Sequence, residues 1–415
     1  MNQSHSLTER CYVVPFVLIT TLFFLWGFAR AILDVLNKHF QETLHITLTQ
    51  STWIQVTTYL AYFLMAVPAG LFISRQGYRR GVVFGLLLFG VGALLFVPAG
   101  WMCTSLIFYA YLLALFILGC GLTFLETAAN PYSTELGPRE TATSRLNLSQ
   151  SFNGLGSCIA PALVGSYLFG GGSVTMPYVM MGVVVLGIAV VFGRVQLPEI
   201  VQTETDDHPS TDGYRSLLRH PMFLFGLFSL LLYEVAEISI NSYFISYSTT
   251  PHGTQAGLMS PQHASVLLSI ALVLFMIGRF VGSALMTRVR PALVLLGCAV
   301  GSVASMLLVL VCQGQVSIYA LMTNYLFESI MFPTIFSLSL QGLGGLTKRA
   351  SSLLMMTPVG GCFFLLTGVM AEVHPLLPFV IPALCYAVIA LFALRFRSIP
   401  YSKMRFKDDK LIERC

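Results

Sequence analysis

Long apolar runs separated by short polar breaks dominate this chain of 415 residues. A helix that crosses a bilayer needs about 20 mostly apolar residues. Splitting the chain at its charged and turn-rich breaks gives twelve such segments: 12–36, 52–74, 81–99, 104–131, 147–169, 175–196, 221–248, 263–287, 291–312, 317–340, 351–371 and 376–396. In lipid each backbone N–H and C=O must be paired within its own segment, so runs of this kind fold as helices. Composition agrees. Only 10% of the residues are charged and 56% are hydrophobic, whereas a soluble chain carries roughly a quarter charged residues. Too little polar surface is left to coat a water-soluble globule. The predicted fold class is an all-α membrane protein with twelve transmembrane helices, its partner the lipid bilayer. The first run begins at Cys11, passes Trp26 and Phe28 to Leu33, and ends in Asp34 and Lys38. Lacking a small-residue cleavage site, it reads as a retained helix, not a signal peptide.

The net charge is +5, but the basic residues are spread over short loops and form no basic face or arm. A nucleic-acid partner is therefore not expected. Arg30 and Arg279 fall within spans and Lys38 follows the first. If the helices alternate, every other Lys and Arg falls on one side, which the positive-inside rule makes cytoplasmic. One miscounted helix would destroy that asymmetry. The expectation is a multi-pass protein of the cell inner membrane with both termini cytoplasmic. The nine cysteines form no CxxC or Cys/His cluster, so no metal, cofactor or disulfide framework is implied.

The longest polar interior stretch, 198–219, carries Glu199, Glu204, Asp206, Asp207, Asp212, Pro209 and Gly213. It divides the chain into a six-helix bundle at 1–197, a cytoplasmic linker, a second six-helix bundle at 220–397, and a tail at 398–415. The halves repeat. Glu126 precedes Pro131 by five residues in helix 4, and Glu328 precedes Pro333 by five in helix 10. Two parallel repeats place a binding site at their interface near the bilayer midplane.

Ionisable groups inside a bilayer cost roughly 3 kcal/mol or more and face cavities or one another. Five acids lie in spans: Asp34, Glu126, Glu234, Glu237 and Glu328. A protonated carboxyl donates a hydrogen bond and an ionised one only accepts. Proton loading can thus be tied to the grip on a sugar hydroxyl. Arg30 lies one turn before Asp34, and an i,i+4 ion pair is the structural alternative there. Such a pair would keep Asp34 ionised, which makes Glu126 the preferred proton site. Glu234, Glu237 and Asn241 share one face of helix 7 and are expected to line the cavity. Glu328 is a further candidate. Gln55, Tyr59 and Tyr62 form a polar face of helix 2; Gln150 and Asn153 do so in helix 5. Amides and phenols suit a polyhydroxylated ligand, whose hydroxyls need partners once desolvated; interhelical hydrogen bonding is the alternative for each. No nucleophile or phosphate-cradling motif is present, so an enzyme is not expected.

Several blocks resemble one family: FFLWGFARAILDVLNKHFQ (23–41), YFLMAVPAGLFISRQGYRRG (62–81), FLETAANPY (124–132), LGPRETATSRLNLSQSFNGLG (136–156), FPTIFSLSLQGLG (332–344) and IPALCYAVIALFALRF (381–396). They are similar to the fucose permease group of sugar–proton symporters within the major facilitator superfamily, from Thr21 to about Phe396. The resemblance implies the major facilitator fold. It implies sugar binding and proton coupling for Asp34 and Glu126, and sugar contacts for Gln55 and Asn153. Two departures stand out. Arg30 replaces an uncharged residue before the helix-1 acid, which points to a substrate bearing a negative or amide group. The loop 74–80, Ser-Arg-Gln-Gly-Tyr-Arg-Arg, lacks the superfamily's usual acid.

The expectation is a secondary active transporter that imports a monosaccharide, such as L-fucose, galactose or glucose, by proton symport, working as a monomer without added cofactor. The rival on the same fold is an exporter or antiporter of drugs or metabolites, since fold does not fix function. A membrane sensor would need an appended signalling domain, and none is seen.

Overall fold

The computed structural model describes residues 12–102, 104–136, 142–195, 217–249, 259–286, 289–312, 314–341, 343, 350 and 353–397. Every regular element among them is helical. We number the spans α1 (Val13–Thr43), α2 (Leu48–Ile73), α3 (Arg75–Ala99), α4 (Thr104–Glu135), α5 (Ala142–Phe169) and α6 (Thr175–Arg194). The second set is α7 (Pro221–Thr249), α8 (Pro261–Met286), α9 (Pro291–Val311), α10 (Gln315–Glu328 and Met331–Leu340), α11 (Thr357–Val373) and α12 (Val380–Arg397). Among the described residues ten helices are long and apolar enough to cross a membrane; the broken α10 and the shorter α11 bring the number to twelve. Most of the expected linker, and the tail from 398, lie outside the described residues.

The differences from the expected bounds have physical causes. The polar residues from Asn37 to Glu42 suggest an end to α1 near 36, yet it continues to Thr43. Asn37 and His39 are buried inside the protein, and the more exposed Lys38 and Glu42 pair one turn apart at 3.5 Å, so part of this polarity faces inward and part is paired along the helix itself. α10 breaks between Glu328 and Met331. Pro333 has no N–H to give the carbonyl of Ser329, and that carbonyl accepts from Arg279 Nε of α8 at 3.4 Å instead. The first 3₁₀ turns of α11, Thr357–Phe363, contain Pro358, Gly360 and Gly361, all weak in an α-helix interior.

Helix runs almost unbroken from Trp53 to Leu94 except at Gly77, whose φ of 81° turns the chain in the first residues of α3. A side chain there would be strained, and glycine removes the cost. Beyond the turn, Arg79 Nε donates to the carbonyl of Phe192 at 3.2 Å, and its Nη2 to that of Gly193. These are last-turn carbonyls of α6, which have no partner within their own helix.

The halves meet from the midplane to the face opposite the termini. Gln41 Nε2 donates to Ser246 Oγ at 3.3 Å, and the Thr49 N–H donates to Glu372 at 2.9 Å. Gly165 of α5 lies against Ser265 of α8. Large apolar side chains such as Val14, Val67, Leu113, Val183, Val281 and Leu384 are exposed, as a lipid-facing surface requires.

Candidate substrate and proton site

The polar centre is built mainly by α1, α2, α4 and α7. On α1, Arg30, Asp34, Asn37 and Gln41 fall on one stripe. Asp34 is 9% exposed, and its Oδ1 accepts from Gln55 Nε2 at 3.1 Å and from Ser242 Oγ at 2.8 Å. Gln55 Nε2 also donates to Ser242 Oγ at 2.6 Å. One carboxyl oxygen thereby ties α1 to α2 within its half and to α7 across the interface.

Arg30 does not pair with Asp34 in the i,i+4 manner that the spacing allows. Its Nη2 reaches Glu234 at 3.2 Å and Glu237 at 3.8 Å, both on α7. Its Nε donates to the hydroxyl of Tyr59 at 3.0 Å, and the guanidinium lies 5.5 Å from the centre of that ring. The positive charge that pointed to an anionic substrate is answered by the protein's own carboxyls. Its side chain is 31% exposed and that of Glu237 16%, against 3% for Glu234, so the cluster has one wet edge and one dry edge.

Glu126 stands on α4, half-buried, and accepts from the Tyr62 hydroxyl at 2.9 Å. The Tyr59 and Tyr62 rings are 6.0 Å apart, so helix 2 links the Glu126 end of the site to the Arg30 end. Gly361 of α11 lies against the face of Tyr59, where a Cβ would collide with the ring. Glycine lets the second half approach this aromatic wall.

Other expected residues sit apart. The Asn153 side chain is half-buried on α5 and makes no hydrogen bond to a described residue; Gln150 Nε2 donates to Asn130 Oδ1 at 3.3 Å. Asn241 is half-buried and its Oδ1 has no partner among the described residues. Glu328 is fully buried. Its Oε2 accepts from Asn324 Nδ2 at 2.7 Å and from the Tyr386 hydroxyl, and both partners belong to its own half.

The sequence did not single out Ser242 and Ser246, which bond Asp34 and Gln41 across the interface. Their signal was present: Ser239, Ser242 and Ser246 repeat at helical spacing along α7. Nor did it single out Asn37, whose amide atoms are buried without a partner among the described residues. No group of three or more His, Cys, Asp or Glu suited to a metal occurs among the described residues.

Comparison places this architecture among known proteins. The chain matches the Major Facilitator Superfamily over residues 19–365. It belongs to that superfamily. It is 33% identical over 412 residues to a protein of Brucella abortus named as a glucose/galactose transporter, covering 95% of this chain and 97% of the relative. It is 34% identical over 424 residues to the L-fucose-proton symporter of Escherichia coli, covering 94% of each. Among solved structures, it superposes on the major facilitator transporter FucP in the outward conformation with a TM-score of 0.73 and 32% identity, covering 94% of this chain and 100% of that one. These similarities agree with the expected fold: an integral membrane carrier of two six-helix halves with its polar groups at the interface.

Proposed function

We propose that this chain imports a neutral monosaccharide, of the L-fucose, galactose or glucose class, together with protons across the cell inner membrane. The observation that carries the reading is the pair of acids at the interface of the halves. Asp34 is held by Gln55 and Ser242, and Glu126 accepts from Tyr62. Relatives that share about a third of the sequence over nearly its whole length carry names of sugar transporters and a sugar–proton symporter. In this reading both termini are cytoplasmic and the chain acts as a monomer. Bundles 1–197 and 220–397 rock about the centre to give alternating access.

Glu126 takes the proton, with Asp34 assisting. Ionised, each only accepts hydrogen bonds; protonated, each donates one. A sugar hydroxyl that must both give and receive is gripped best by a protonated carboxyl beside amide and phenol groups. Gln55, Tyr59, Tyr62, Asn153, Glu237 and Asn241 supply those groups, and Glu234 anchors Arg30. Glu328, enclosed by Asn324 and Tyr386, is left out of the substrate contacts. The cluster sets one guanidinium against several carboxyls, which favours a neutral sugar over an acidic one.

Vesicles holding the purified protein test this. External pH is followed while sugars are added singly. Alkalinisation with one sugar, abolished by an uncoupler, is the expected result and names the substrate. Counterflow of a labelled sugar without any pH change would make the chain a facilitator. Silence in both assays would replace import by export of other compounds.

A further inference from the structure

Arg30 holds a single positive charge between carboxyls that belong to different halves. From the second half, Glu234 and Glu237 of α7 take it as their ion-pair partner. From the first half, Asp34 lies one turn along α1 and Glu126 stands on α4. Both interact electrostatically with the guanidinium, yet neither is paired with it. α2 contributes Tyr59 and Tyr62. α8 contributes Arg279, which shares the field of Glu237, and Glu328 of α10 interacts with Glu237 from the far side.

The bonds around this charge describe a carrier closed on the face opposite its termini. Arg30 to Glu234, Asp34 to Ser242, Gln41 to Ser246 and Thr49 to Glu372 all cross the interface between midplane and that face. Opening there must draw α1 and α2 away from α7 and α11, and so carry Arg30 away from Glu234. A charge stripped of its partner inside a membrane protein is costly unless another partner takes over. The acids that travel with Arg30 in its own half are Asp34 and Glu126. They can take over only when ionised.

We propose that Arg30 is the residue that converts proton binding into closure. When Asp34 and Glu126 are ionised, the guanidinium is held within the first half and the face opposite the termini is free to open. When they take protons from water at that face, the guanidinium is released to Glu234 and Glu237 and draws α7 onto α1. Loss of the protons on the other side pulls it back to the first half. Arg30 is thus a positioning residue for coupling. The inference rests on the proton-coupled reading above and adds the part that moves.

The test needs no substrate. Ser246, buried beneath Gln41 in the closed state, is replaced by cysteine in the full-length purified protein. Its modification by a maleimide is followed from mildly acidic to alkaline buffer, against the same chain with Ser246 intact. Rates are normalised to the unfolded chain at each pH, which removes the thiol's own titration. Accessibility is expected to rise about tenfold toward alkaline pH, an ordinary coupling strength. Arg30→Gln should flatten the profile and Arg30→Lys should keep it. Glu234→Gln with Glu237→Gln should leave Ser246→Cys accessible at every pH, which serves also if Arg30→Gln fails to fold. An Arg30→Gln profile with unchanged pH dependence would overturn the inference while leaving proton coupling intact. A flat profile in the unsubstituted background would overturn it too, and the vesicle assay then reports separately whether coupling itself exists.

Discussion

Glu126 and Glu328 occupy matching places in the two halves, each five residues before a proline, and the structure gives them opposite surroundings. Glu126 is half-buried at the interface, with one hydrogen bond among the described residues, from Tyr62, and the Arg30 charge nearby. Glu328 has no exposed surface and is bound by Asn324 and Tyr386 of its own half. The helices differ as well: α4 runs on through 131, whereas α10 breaks just after its glutamate. A repeated motif therefore supplies a partly exposed acid in one half and a buried interhelical tie in the other. What separates them is the supply of partners. Both partners of Glu328 lie in its own half with no surface exposed, which fits the structural role given it above, whereas the partial exposure of Glu126 fits the proton exchange proposed for it.

Substitutions at the two acids and their tyrosines probe this contrast. The largest effect is expected from Glu126→Gln, which keeps the shape and removes the titration. Sugar accumulation driven by a pH gradient should fall by about tenfold for each pH unit imposed, the equivalent of one coupled proton, while exchange of labelled for unlabelled sugar persists. Measured in the same vesicles, Glu328→Gln should retain gradient-driven accumulation; its loss would erase the distinction between the two acids. Next in size is Glu328→Ala, which leaves the Tyr386 hydroxyl without its acceptor in a site closed to water, while Asn324 Nδ2 keeps the Tyr386 oxygen at 3.1 Å. The cost should be about 1–3 kcal/mol, seen as a lower midpoint of thermal unfolding in detergent, with Glu126→Ala changing that midpoint less. The smallest effect belongs to the tyrosines. Tyr62→Phe removes one bond worth about 0.6 kcal/mol in a membrane interior. It should shift the pH dependence of uptake by a few tenths of a unit without changing stability much. Tyr386→Phe should do the reverse, and a shifted uptake profile in Tyr386→Phe would count against the division.

The run lengths and spacing of the apolar segments determined the membrane class, the twelve spans and the paired halves, because backbone satisfaction in lipid leaves a chain few choices. The five intramembrane acids were equally legible, since each stands out against an apolar background. Sequence blocks pointed to the family that the comparisons then showed. Partner choice was beyond reach. Arg30 and Asp34 are one turn apart, and local spacing favoured their pairing. Arg30 instead bonds Glu234, 204 positions away, and Asp34 bonds Ser242, 208 positions away. Helical periodicity fixes which face a residue occupies, but not which helix of the other half will stand opposite that face. That register is set by side-chain fit and by close approaches such as Gly361 on Tyr59, which arise only when distant segments pack together.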